Sequence, residues 1–600
     1  MGSIAFRHHM CYRTDNLYLK RVVTTKPGGK SYVYLKVVQA YRAGGKARER
    51  VLFTLGREDE LKSSGQLESL AAAFARKDPP MAGIRREVGP LLLVKHYLQR
   101  LSLAEIVESH LPSHGRAQLT NAEVVTALIA NRLCAPSPLY DISGWASSAA
   151  VQELFEIPAM LLNDDRLGRA LDVFATRAEE IRGAVALAAI ERFGVEAGRL
   201  HLDLTSLRVA GAYEDSSLVA KGWDHQRQTV RQVKVLEATN PAGLPIYVRP
   251  QPGNAAELNC IGAALEQLAN LLPRGLVFCA DSAFGYIGHL CAADRAGLGF
   301  VVPLRDVTRF REMYAEQVGD LSLKPLDYTP LRERDLPPSR RTKYRGCLRR
   351  LPVNDPTSGQ PHLFSVAFIW SSNEEQTVRE SRERALSKAE DELRKVQRGL
   401  GGPYYKTTKQ VQDRAAVILA GKAKRLIHVH VGESKGRPTL SFERDLEVIA
   451  ETAASDGIYA LASNLSNYSN AADLLRIYKE QSLVELRHRD LKQTLRVRPI
   501  FLHNDDRIQA LISIVGLALL VFGLIELDLR GALGTQDELI GLLPEGRSAR
   551  PTARNILAAF QGLGLTYTQA GIRLDRLTTT QRRILDLLGI NLPWQEQVAA

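Results

Sequence analysis

From Leu200 onward the chain alternates short apolar runs with amphipathic stretches, and that rhythm restricts the fold more than any other feature. Leu200, Leu202 and Leu204 alternate with His201, Asp203 and Thr205, the two-residue period of a strand, which puts Asp203 opposite the leucines. Two further strand-like runs, VRQVKVLEAT (230–239) and LPIYVRP (244–250), flank a turn at NPAG. AELNCIGAALEQLANLL (256–272) has the three- and four-residue spacing of an amphipathic helix. LVFCA (276–280) and GFVVPL (299–304) read as buried strands around the helix GYIGHLCAADRAG. Past Arg305 the rhythm breaks, and it resumes with the strand IYALASN (458–464) and a helix from about Ala471 to Leu495.

Three strands followed by alternating helix and strand is the order of a ribonuclease H-like α/β core. The expected chain is multidomain α/β: that core, in two parts (196–305 and 457–530), is interrupted by an insertion (306–456). Within the insertion, LFSVAFIW (363–370) reads as a strand and 373–397 as a charged, solvated or DNA-facing helix, with opposite charges at spacings of three and four. Ahead of the core, 1–60 holds a β-hairpin joined at AGGK, and 61–195 reads as helical, a candidate DNA-end-binding domain. A helical tail, 531–600, closes the chain.

A formal net charge of +13 favours an anionic partner. The six cysteines form no CxxC pair and read as reduced thiols of a cytoplasmic protein. Residues 510–525 imitate a membrane span, but sixteen residues fall short of the ~20 required, so a buried helix and no membrane are expected. Phosphate loops of the GxGxxG and GxxxxGK[ST] types are absent, so no ATP-driven step is indicated.

Against this basic background stand three acids in distinct settings: Asp203 inside a strand, Asp281 ending the run LVFCAD, and Glu485 in YKEQSLVELRHRDLK. A carboxylate within an apolar strand is costly without a partner. Brought together, the three would hold divalent ions, because Mg²⁺ takes oxygen ligands and keeps several waters. Two such ions about 3.5–4 Å apart support in-line attack on a phosphodiester. Tyr478, Glu485 and Lys492 recur at seven-residue steps, close to two helical turns, and so share a face. Arg487, Arg489, Arg496 and Arg498 add cationic side chains around that acid as candidate DNA contacts. His428 and His430 alternate along one strand and read as a strand face; Trp223 and Trp370 read as core or rim packing, with stacking on a base the alternative.

The run YKEQSLVELRHRDLK resembles the Y-(2)-R-(3)-E-(6)-K signature of insertion-sequence transposases of the IS-four superfamily. Tyr478, Glu485 and Lys492 match it, and Gln481 occupies the Arg position, which makes Tyr478, Gln481 and Lys492 further candidate DNA contacts. GWDHQRQ with Asp224 and His225, GLPIYVRPQPGNAAE with Gly253 and Asn254, and LTTTQRRILDLLG resemble the branch numbered sixteen thirty-four. Where that family has Arg-Gly after its second Asp, this chain reads DSAF. The resemblance implies that Asp203, Asp281 and Glu485 form a DDE triad binding two Mg²⁺, for which Mn²⁺ can substitute. It further implies cutting at terminal inverted repeats, joining of 3′ ends to target DNA, a homodimer on paired ends, and a place at the bacterial nucleoid. Two alternatives share the scaffold: a domesticated, non-catalytic DNA-binding protein, and a nuclease without strand transfer.

Overall fold

Leu200, Leu202 and Leu207 lie fully buried in the strand Arg199–Arg208, part of a ten-stranded sheet in the computed structural model. The structure describes all residues except 1–15, 26–30, 44–45, 64–82, 114, 116, 224–227, 272–274, 331–332, 498–499, 501, 570 and 598–600. Thr229–Thr239 pairs antiparallel with Arg199–Arg208, and Pro245–Gln251 pairs antiparallel with Thr229–Thr239. On the other side Val277–Cys279 and Gly299–Pro303 follow in parallel. Two antiparallel neighbours on one flank and two parallel strands on the other give the ribonuclease H-like arrangement.

The sheet does not stop where the insertion was expected to begin. Ile458–Ser463 pairs with Gly299–Pro303 on one edge and with Pro361–Ser371 on the other, and Tyr344–Asn354 and Lys324–Pro325 extend it further. The run from Phe364 to Ile369 is buried between two strands, which ties this part of 306–456 to the core. The remainder, from Ser372–Arg398 to the hairpin Ile427–Ser434/Arg437–Arg444, packs around its own cluster of Leu386, Leu393, Val411 and Leu440. The charged helix thus buries one stripe, and Arg382 pairs with Asp456 beneath it.

The apolar segment near the C-terminus is a helix, Asp505–Leu533, of twenty-nine residues. That is long enough to span a bilayer, so the length argument fails; burial decides instead, since 94% of its most apolar window lies inside the protein. It packs on Pro245–Gln251 and on helices of the segment 91–193. Gly516 and Gly523 permit this approach: a Cβ there would lie 2.8 Å from Val248 and 2.7 Å from Leu244.

The chain divides into two units, 1–85 with 566–573, and 86–565 with 574–600. In the first, Asn16–Thr25, Ser31–Ala43 and Lys46–Arg57 form an antiparallel meander, one strand more than the sequence pattern indicated.

Candidate active site

Register brings the first two acids together. The parallel pairing aligns His201 with Cys279, so two residues further on Asp203, midway along its strand, and Asp281, just past the end of its own, reach the same level. Beyond Cys279 the chain turns: Asp281 Oδ1 accepts the Ala283 amide at 2.7 Å, capping a single 3₁₀ turn, Ser282–Phe284. Phe284 packs edge-on against Phe278 at 5.0 Å, which gives the DSAF departure a local role. Burial, together with the charges of Asp281 and Glu485, pushes Asp203 up to about 6, against the Leu204 amide and the Lys492 ammonium.

Glu485 reaches this edge on the helix Ser482–Arg489, which packs on the strands of Asp203 and Glu237. The single helix expected over 471–495 is interrupted. Ala471–Lys479 ends at a break, Ser482–Arg489 follows, and Asp490–Thr494 widens into a π-turn, a distortion frequent at functional sites. Tyr478, Glu485 and Lys492 nonetheless converge. The phenol of Tyr478 is raised by burial and by the nearby charges of Asp281, Glu374, Glu485 and Asp203, and Lys492 acts on Asp203.

Two expected DNA contacts are corrected. Gln481 sits at the helix break, where its Nε2 donates to the Leu202 carbonyl at 3.0 Å and its Oε1 lies 3.3 Å from His201. Arg487 is buried: it donates to the Gly243 carbonyl and pairs with Asp490 and Glu526, both at 3.3 Å. Both side chains are consumed in fixing the helix to the core. Arg489 and Arg496 are exposed, and Arg498, Asp224 and His225 lie outside the described residues. Trp223 is 70% exposed, against the packing role expected for it, whereas Trp370 lies under the Arg345 guanidinium. His428 pairs with Asp445, and His430 is exposed.

Three groups at this edge escaped the sequence reading. Glu237 stands across from Asp203 in the antiparallel pair, fully buried, with neither carboxyl oxygen hydrogen-bonded. His488 lies between them, 3.5 Å from Asp203 and 3.7 Å from Glu237. Burial and the Lys492 charge push this imidazole down to about 3, so it stays neutral. Glu257 opens the helix Glu257–Leu271; burial and the charges of Asp281 and Asp203 push it up to about 7. One signal was available for Glu237, an acid inside the strand run VRQVKVLEAT.

The donor chemistry suits a divalent cation. Asp203, Asp281 and Glu485 are hard oxygen ligands; the negative charges of the latter two bear on Asp203, and the Lys492 ammonium acts on Asp203 in the opposite sense. As they stand, among the described residues, no three His, Cys, Asp or Glu side chains form a ready-made metal cluster. An ion would have to draw them inward.

Residues 19–82 match the IS1634 family transposase, N-terminal domain, and 85–185 match a domain of unknown function. Residues 197–521, more than half the chain, match the transposase DDE domain, within which all three acids fall. No curated protein matches the chain. The strand order, the meeting of Asp203, Asp281 and Glu485, and these matches lead to one assignment: the chain belongs to the DDE transposases, in their IS1634 branch.

Proposed function

We propose that the protein binds the terminal inverted repeats of its element, cuts the DNA there and joins the 3′ ends to target DNA, using Asp203, Asp281 and Glu485 at one centre. The approach of Asp281 and Glu485 to Asp203, whose carboxyl is raised by burial and by those two charges, carries this reading. Bound Mg²⁺ or Mn²⁺ would activate the attacking oxygen and stabilise the leaving oxygen. Asp203 presents its carboxylate from mid-strand, Asp281 from just past the end of the neighbouring strand, and Glu485 approaches on its helix. Lys492 and Tyr478 flank them, suited to hold a phosphate and the backbone near the cut. Arg489 and Arg496, both exposed, add cationic side chains for the duplex. Two paired ends call for a homodimer acting at the nucleoid, and the 61–195 segment is the proposed end-binding region.

The test is single-turnover cleavage of an end duplex by Asp203→Ala, Asp281→Ala and Glu485→Ala, with gel-shift binding in parallel. Each should lose cutting by on the order of 10³-fold while binding persists, since metal ligation supplies several kcal/mol at the transition state. Near-normal Mg²⁺-dependent cutting by any one removes that residue from the triad. A joining assay with pre-cut ends separates transposase from simple nuclease: hydrolysis without joined product would reject strand transfer.

A further inference from the structure

Resting on the reading of this edge as a metal-dependent centre, we propose that Glu257 is a fourth carboxylate ligand there, joining Asp203 and Asp281. Its helix packs directly against the Asp203 strand and the 3₁₀ turn that Asp281 caps. No hydrogen bond or ion pair to a described residue occupies its carboxyl group. The loop before it is pinned in place. The Gly253 amide donates to the Leu218 carbonyl at 2.9 Å, Gln232 Nε2 donates to the Gly253 carbonyl at 2.9 Å, and Lys234 Nζ donates to the Ala255 carbonyl at 2.7 Å. A Cβ on Gly253 would lie 1.9 Å from the Gln232 carbonyl oxygen, so only glycine lets this loop pass so close to the strand.

A part-buried carboxylate held beside two others is unfavourable unless something positive compensates it. Lys234 supplies one charge from the side, and the helix N-terminus adds only a partial positive charge. A divalent cation shared by strand, turn and helix carboxylates would remove the conflict.

The experiment titrates Mn²⁺ into the full chain, wild type, Glu257→Gln and Asp203→Asn, with and without end duplex. Free Mn²⁺ is counted by its electron paramagnetic resonance signal, and cleavage is measured alongside. Glu257→Gln should bind one Mn²⁺ more weakly, on the order of 10–100-fold, and its slowed cutting should recover in part at high Mn²⁺. Unchanged Mn²⁺ affinity and stoichiometry in Glu257→Gln would overturn the proposal, whatever happens to cleavage. If Glu257→Gln fails to fold, Glu257→Asp decides: it keeps the charge but shortens the arm by one methylene, and wild-type Mn²⁺ affinity would again reject the ligand role. Asp203→Asn separates the two levels. Loss of Mn²⁺ there with none in Glu257→Gln rejects Glu257 alone, whereas full Mn²⁺ binding and cutting by Asp203→Asn rejects the metal centre itself.

Discussion

Asp203 and Glu237 face each other across the antiparallel strand pair, and the neutral ring of His488 spans the space between them. One acid is open to the catalytic edge and the other is sealed beneath it, so two identical charges at one level of the sheet have different fates. Glu237, pushed well above the ordinary carboxyl range by burial, can stay protonated where Asp203 must ionise to ligate. Glu237→Gln, nearly isosteric and neutral, should therefore keep the fold and most of the cleavage rate, whereas Asp203→Asn should lose cutting. Thermal melting and single-turnover rates check this pair; a Glu237→Gln protein as dead as Asp203→Asn would mean that Glu237 takes part as a charge.

Lys492 and Glu485 should separate by phenotype. The ammonium is suited to phosphate and the carboxylate to metal. Lys492→Ala should weaken end binding and reduce the slope of log affinity against log salt by about 1, with the metal requirement unchanged. Glu485→Ala should stop chemistry on fully bound DNA. Rescue of Lys492→Ala by extra Mn²⁺, with Glu485→Ala losing only affinity for DNA, would reverse the two roles.

Arg487→Ala should act on stability, not on DNA. Its guanidinium bridges the Gly243 carbonyl, Asp490 and Glu526 in a buried setting, and after its removal Glu526 keeps Arg530 and Asp490 keeps Arg554. Breaking a buried pair costs about 3–5 kcal/mol, an upper bound where the acids retain a second cation. Denaturant unfolding should show that loss, and the salt slope of end binding in the remaining folded protein should match wild type.

Gly253→Ala should displace the loop before Glu257, because no side chain bends out of the way: the colliding atoms are the backbone oxygens of Gln232 and Ala220. The expected result is a destabilised protein with slowed cleavage and retained end binding. Normal kinetics with a normal melting temperature would show that the loop can move aside at no cost.

Asp505 supplies a pH-dependent contribution to stability. Its carboxylate accepts the Ser217 amide at 2.8 Å and the Leu218 amide at 3.0 Å, and the Ser216 and Ser217 hydroxyls also donate to it. Burial raises it, but these hydrogen bonds prevail and hold it below the usual aspartate range. A depressed folded-state value means stability present above the unfolded value of 3.8 and lost as pH falls through the folded one. Asp505→Asn should cost about 1–2 kcal/mol at neutral pH, allowing for solvent screening. The difference from wild type should shrink below pH ~4, read from urea unfolding at several pH values.

Local pattern was enough for much of this chain. The alternation around Asp203, the apolar ends of the neighbouring strands and the seven-residue recurrence of Tyr478, Glu485 and Lys492 are short-range signals, written in residues a few positions apart. They led to the core type and the three acids because hydrophobic period and strand order leave few topologies open. What they could not convey is which side chains the long-range pairing would use up. Gln481 and Arg487 look like DNA contacts in a basic helix until His201, Leu202, Gly243 and Glu526, distant in sequence, close around them. The break at Glu480 likewise goes with docking on the sheet, where Glu480 pairs with Arg199 and Gln481 bonds to Leu202 in place of helical continuity. Glu257 shows the same limit from the other direction. Alone it is an ordinary first residue of an amphipathic helix, and only the passage of the Gly253 loop against the Gln232 backbone brings it to the acids, since a carboxylate's chemistry depends on its neighbours in space.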